Sequence, residues 1–214
     1  MATWIAHMRV AEYFMNKDEH LNNPYFLVGN IGPDCGVPNE DWSKFTPDTN
    51  ITHWKFKDGK TIDADDFKEK YLIDIDEKFP FYLGYYFHLI TDIEWGKLYE
   101  RKKLETIYSQ GLEKDKNFIW IIKKDWYGQD HLFLRDKTES IFYTMFSKIT
   151  EFDNVFFDFY PPNAFIRQIN YITNFYMSYN ENLNRNFPYL SKSEMDEFVV
   201  ETIKVLENIY LKTK

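Results

Sequence analysis

The segment Phe79-Pro80-Phe81-Tyr82-Leu83-Gly84-Tyr85-Tyr86-Phe87-His88-Leu89-Ile90-Thr91-Asp92-Ile93 constrains the fold most. Its apolar residues fall on nearly every side of a helix, and Pro80 sits where a first turn tolerates proline. A helix of this kind, predicted over 79–98, has to be wrapped by other elements. The run is too short for a bilayer span and carries polar groups, so it reads as the centre of a core rather than a membrane anchor. The 214-residue chain can supply the wrapping, since 44% of its residues are hydrophobic and 20% aromatic.

The remaining pattern is helical rather than alternating. Residues 3–16 form a first helix, with Ile5, Met8, Ala11 and Met15 on one face. Asn22-Asn23-Pro24 starts a short helix that ends near Gly29 to Pro33. Asp34 to Asp48 is loop, broken by Gly36, Pro38 and Pro47. A small hairpin is predicted over 53–62, turning at Asp58-Gly59, and Asp63 caps a helix over 64–76. Further helices are expected at 100–111, 115–124, 131–150, 161–180 and 192–212, with a linker from Asn180 to Pro188. The expectation is one all-α domain over 1–214, in which 180–214 is a C-terminal helical extension.

Charge and cysteine content exclude some classes. A net charge of -8 argues against an extended nucleic-acid or anionic-membrane surface, although a bound cation would still admit a small phosphate-containing substrate. Cys35 is the only cysteine, so no internal disulfide forms, which suits a reducing compartment. The first residues lack a basic stretch followed by an apolar core, so a cytoplasmic location is expected. Neither a Ser-His-Asp nucleophile nor a phosphate-binding glycine loop has a recognisable context.

His88 and Asp92 are four apart, so both project from one helix face and can share one cation; an ordinary His-Asp hydrogen bond is the competing reading. His7 in an apolar helix, His53 at an expected strand start and Asp34 after Pro33 are each unremarkable singly. Their order changes that. Trp4-Ile5-Ala6-His7, Phe26-Leu27-Val28-Gly29-Asn30-Ile31-Gly32-Pro33-Asp34, Thr52-His53 and the 83–92 segment together resemble the zinc-dependent phospholipase C family. Its fold is shared with fungal single-strand nucleases, and the resemblance covers roughly residues 1–98, with a looser continuation to about 136. It implies a multi-helix bundle in which His7, Asp34, His53, His88 and Asp92 hold metal. It also implies a metal-activated water attacking a phosphoester, with Asp34 orienting or deprotonating that water.

The family's secreted lipases carry three zinc ions, with two histidines and a glutamate soon after the His-x-x-x-Asp helix. Here no histidine lies between His88 and His131, so one or two divalent ions, zinc first, are expected. Asp130 is a further ligand candidate, and a helix cap is its other reading. His131 is the weaker alternative, because adjacent helical residues point about 100° apart. Several other residues have two readings each. Tyr82, Tyr85, Tyr86, Phe79, Phe81 and Phe87 either line a pocket or form core. Trp42, Trp54 and Trp95 are candidates to wall the site. Arg9 and Arg167 are phosphate clamps or surface salt bridges, Cys35 is a soft ligand or a buried thiol, and His20 is a solvated group.

Two further classes stay open beside a phosphoester hydrolase acting on lipid-headgroup or nucleotide phosphodiesters. One is a non-catalytic helical binding module stabilised by a structural metal. The other is an HD-like nucleotide phosphohydrolase, against which Asp130-His131 runs in reversed order.

Overall fold

The computed structural model describes residues 1–41, 43–115, 117–180 and 182–211. Trp42, one of the three candidate site tryptophans, and residue 212 of the last expected helix lie outside the described residues.

Two helix backbones touch at the centre of the molecule, and glycine is the reason. Helix α2 (Pro24–Gly29) is started by Asn23, whose side chain accepts from the Phe26 N–H, and by Pro24 in the first turn. It lies along α5 (Phe79–Lys103), the long apolar segment. A Cβ at Gly29 would overlap the Phe81 carbonyl, and one at Gly84 would overlap the Phe26 carbonyl. Hydrogen at both positions lets the two main chains meet. Gly84 is one turn before His88, so the α5 face that receives α2 also carries the histidine.

Helix α5 runs past Leu98 to Lys103 because no proline or glycine interrupts 99–103. Arg101, Lys102 and Lys103 also favour the negative end of the helix dipole. Helix α1 (Trp4–Lys17), capped by Thr3, and α10 (Lys192–Tyr210), opened by a Ser191–Glu194 capping box, pack against each other and against α5. Helix α3 (Thr49–Thr52) adjoins the 3₁₀ turn Gly32–Asp34, and α4 (Ala64–Tyr71) packs on α5. Helix α6 (Thr106–Lys114) packs on α7 (Phe118–Asp136), and α9 (Ala164–Met177) packs on a 3₁₀ turn at Phe146–Lys148. With α8 (Ile141–Thr144) this makes ten α-helices among the described residues, the all-α architecture expected. None of the described helices is long and apolar enough to cross a membrane.

Local expectations needed correction in three places. The two-stranded pair lies in the expected loop, where β1 (Val37–Pro38) runs antiparallel to β2 (Phe45–Thr46). Over 53–62 the hairpin shrinks to a single bridge between Lys55 and Ile62. Asp58 there accepts from the Lys60 and Thr61 N–H groups and from the Thr61 hydroxyl, and these local bonds compete with a ladder. His53 accordingly ends a helix instead of starting a strand. The helix expected over 131–150 is divided, because α7 continues to Asp136 and a new start occurs at Ser140. The Glu12 carboxylate of α1 accepts the Ile141 N–H at 3.0 Å, a cap supplied from a distant segment.

Of the two readings of the aromatic cluster, core holds: Phe81, Tyr85, Tyr86 and Phe87 are buried, with Phe79 and Tyr82 packed at its edge. Trp95 is also core, packed on Trp126 and Phe198.

The glycine contact makes a paired prediction. Gly84→Ala should destabilise the protein by about 1–3 kcal/mol or more in urea denaturation, through overpacking against α2. Gly96→Ala, on the same helix with open space beside it, should stabilise it by up to about 1 kcal/mol. Equal effects at the two positions would contradict the backbone contact.

Candidate metal centre

Four separate segments bring His7, Asp34, His53, His88 and Asp92 together. His7 comes from the first turns of α1, Asp34 from the 3₁₀ turn after α2, His53 from the end of α3, and His88 and Asp92 from adjacent turns of α5. They form two groups able to hold a metal ion, His7–His88–Asp92 and Asp34–His53–His88, sharing His88; within each, the ligating atoms lie within 4.8 Å of one another. The His7 and His88 rings are stacked, with centroids 3.8 Å apart and planes 2° from parallel.

Hydrogen bonding from outside fixes these side chains. His88 Nδ1 donates to the Asn30 carbonyl at 2.8 Å, which leaves Nε2 as the lone-pair nitrogen of the neutral ring. His53 Nδ1 pairs with the Thr52 hydroxyl at 3.0 Å, and the Tyr85 hydroxyl donates to the Thr52 carbonyl. The turn carrying Asp34 is tied down by Tyr160, whose hydroxyl donates to the carbonyls of Gly32 and Pro33, and by Arg167, which donates to the Cys35 carbonyl. The Ala2 N–H donates to Asp92 Oδ1 at 2.7 Å.

Inside this frame the inward-facing atoms lack hydrogen-bond partners. His7 Nε2, His53 Nε2, His88 Nε2 and Asp92 Oδ2 are all buried without one. His7 Nε2 lies 3.5 Å from Asp92 Oδ1, while His88 Nε2 and His53 Nε2 lie 3.5 and 3.6 Å from Asp92 Oδ2. His53 Nε2 lies 3.3 Å from Asp34 Oδ1. These separations are long for hydrogen bonds, yet they match the roughly 3.3–3.5 Å edge of a tetrahedron whose metal–ligand bonds are about 2.0–2.1 Å. The residues therefore fit a divalent cation, both in donor type and in their unmet polar atoms.

Burial lowers the His7 pKa to about 4, and the charge of His88 adds to this, so His7 is neutral at ordinary pH. For His88 burial acts in the same direction, but the Asp92 carboxylate outweighs it and raises the pKa. Burial disfavours ionised Asp34; the His53 contact and the charges of His88 and His53 overcome it and hold the carboxyl below its ordinary range. Asp34 is the least buried of the five, with 8% of its side chain exposed.

The other residues singled out in the sequence lie elsewhere. Asp130 belongs to neither group: its carboxylate accepts from the Thr3 hydroxyl at 2.7 Å and the Tyr176 hydroxyl at 2.5 Å. His131 stacks on Tyr179. The Cys35 thiol is buried and donates to the Ile31 carbonyl at 3.4 Å. Arg9 pairs with Asp196 at 2.6 Å and covers Phe133, and His20 is exposed. Trp54 donates to Asp66 and packs on Phe67 and Tyr71. Sequence reasoning assigned no role to Asn30, Thr52 or Ala2, which support the centre through main-chain atoms and a hydroxyl. Asn30 and Thr52 were signalled only by adjacency to the ligand phrases.

Comparison with protein-family models, with curated proteins and with solved structures finds no match to this chain. Fold and site together define an all-α protein with a buried histidine–aspartate centre able to hold a metal ion.

Asp130 gives a testable pH signature. Burial raises its pKa to about 7 against the opposing bonds from Tyr176 and Thr3. An unfolded aspartate releases its proton near pH 4, whereas the folded one keeps it to about 7. Stability should therefore fall as pH rises through that window and level off above it. In the chelated protein, denaturation from pH 4.5 to 7.5 should show a loss of at most about 4 kcal/mol that Asp130→Asn lacks. Parallel curves for the two proteins would refute this.

Proposed function

We propose that this chain is a metal-dependent phosphoester hydrolase of the kind its sequence resembles, acting on a small lipid-headgroup or nucleotide phosphodiester. The observation that carries the proposal is the convergence of three buried imidazole nitrogens and Asp92 Oδ2, none with a hydrogen-bond partner. Zinc is the ion we assign, because imidazole nitrogen and carboxylate oxygen in a compact set suit it. A divalent ion bound there acidifies a water and polarises a phosphoryl oxygen.

The chain's own residues do the rest. His88 is held in one tautomer by the Asn30 carbonyl, so its lone pair is aimed inward without a search through rotamers. Asp92 is oriented by the Ala2 N–H on one oxygen and faces two imidazoles with the other. Asp34 is held in its ionised form and is the least buried of the five, and we assign it the orientation of the attacking water and the acceptance of its proton.

A second reading has an observation of its own. His7 and His88 are fully buried, which suits a closed structural metal in a binding module. The slight exposure of Asp34, alone among the five outside the buried class, favours the catalytic reading for the shared centre. Against an HD-like enzyme stands the separation of Asp130 and His131, which face different partners.

Elemental analysis of the purified protein should find one or two divalent ions per chain, and His88→Ala should lose most of them. Hydrolysis of a phosphodiester panel should fall at least a hundredfold on chelation, and return with added zinc. Asp34→Asn should lower kcat by roughly 10²–10⁴. Bound metal with no turnover across the panel would move the assignment to the structural module, and absence of metal would remove both.

A further inference from the structure

The start of α7 leaves a tryptophan in solvent. Trp120 is 56% exposed, the one exposed tryptophan among the described residues, and Ile121 beside it is 50% exposed. Side by side in water, the two forgo the burial that Trp95 and Trp126 obtain in the core. Helical register places them there. Ile122, Trp126 and Gln129 recur at i, i+4 and i+7 and are buried, so that face of α7 meets the core, while Trp120 and Lys124 lie on the opposite one.

Lysines frame this apolar pair. Lys123 follows Trp120 by three residues and holds its ammonium over the indole, 4.6 Å from the ring centroid. Lys124 follows by four and is exposed. Phe118, in the first turn of α7, packs so closely on α6 that a Cβ at Gly111 would overlap its ring. Ile107, Gly111 and Lys114 recur at i, i+4 and i+7 on α6, so exposed Ile107 and Lys114 flank that contact. Two acids lie close in sequence: Glu113 is exposed, and the Asp115 carboxylate accepts the Asn117 N–H. Asp125 is turned away, held by Arg185 and the Tyr189 N–H.

The charge of this end is opposite to that of the whole. Residues 97–124 carry eight Lys or Arg and four Asp or Glu, a balance of +4, so the rest of the chain carries -12. A second exposed apolar site makes the contrast. Ile73 and Ile75 are 71% and 81% exposed, but Asp74, Asp76 and Glu77 surround them in sequence. Tryptophan and isoleucine among lysines suit the headgroup region of an anionic bilayer, where the indole is amphipathic and each lysine meets lipid phosphate.

We propose that the α6–α7 end of the molecule docks on an anionic lipid surface, with Trp120 and Ile121 entering the headgroup region and Lys114, Lys123 and Lys124 facing lipid phosphates. The net charge of -8 opposes an extended contact of this kind. A contact confined to one end escapes that opposition, since exposed charges more than about 10 Å away are largely screened. The surface is independent of the hydrolase reading, because docking requires neither metal nor turnover.

The test is co-sedimentation with vesicles of phosphatidylcholine alone and of phosphatidylcholine mixed with phosphatidylserine. Wild type should bind the mixed vesicles at least tenfold better and be released by salt. Lys114→Gln and Lys123→Gln should each weaken binding roughly fivefold. Trp120→Ala should weaken it roughly tenfold or more, while Ile75→Ser leaves it unchanged. Brominated lipid should quench part of the tryptophan fluorescence of wild type and spare that part in Trp120→Phe, a variant that keeps the fold and an aromatic ring. Failure of wild type to bind the mixed vesicles overturns the proposal, as does equal binding to both vesicle types or an equal loss in Ile75→Ser and Trp120→Ala. Self-association abolished by Trp120→Ala, without vesicle binding, assigns the face to a second copy of the chain and overturns it too.

Discussion

The close approach of α2 and α5 is the contact on which the centre depends. Two glycines permit it, Gly29 against the Phe81 carbonyl and Gly84 against the Phe26 carbonyl. Because α2 ends there, the next residue, Asn30, delivers its carbonyl directly to His88 Nδ1. Four residues later the same segment delivers Asp34. Moving the helices apart by a methyl group would thus loosen a ligand and its orienting partner together. Overpacking in such a place acts on geometry before it acts on the total burial of apolar surface.

The second constraint is electrostatic. His7, His53, His88 and Asp92 are buried, and their inward atoms are left without partners that a well-packed core would normally provide. Outside the cluster the hydrogen bonding is careful: Thr52, Asn30, Tyr85, Tyr160 and Ala2 all supply bonds to the ligands or to the turns that carry them. A fold that satisfies the outer atoms of His53, His88 and Asp92 and leaves the inner ones facing one another holds lone pairs in mutual opposition. A cation relieves that opposition; a shared proton does so for one pair at a time. This difference favours a metal over a simple His-Asp hydrogen bond, the alternative that the spacing of His88 and Asp92 left open.

How much of this the sequence disclosed depends on whether the signal was local. The apolar run around Gly84 predicted a central helix correctly, because periodicity and Pro80 are read within one segment. His88 and Asp92 followed from helical spacing, while His7, Asp34 and His53 entered through resemblance to a family; all five converge. The failures were where distant groups decide. Glu12 caps Ile141 from the far side of the sequence and starts a helix inside one that was expected to be continuous. The hairpin failed for a local reason instead: Asp58 satisfies its own turn and suppresses the ladder that Asp58-Gly59 signalled. Asp130 too entered as a ligand candidate through the resemblance, with a helix cap as its other reading, but Thr3 and Tyr176 occupy its oxygens, and neither could be paired with it from spacing.

That displacement of Asp130 bears on the chemistry proposed for the centre. Two carboxylates, Asp34 and Asp92, balance one divalent ion and leave two such ions with positive charge to spare. A third ionised carboxylate would reduce that surplus and repel an anionic substrate. Asp130 lies one residue beyond the Ala2–Asp92 contact, and burial keeps it largely protonated up to about pH 7, so its negative charge is withheld. Helix α7 thus withholds a negative charge from the neighbourhood of the centre. An overall acidic chain can receive a phosphate at such a point, since the local arrangement of charge, and not its sum, governs approach to a recessed site.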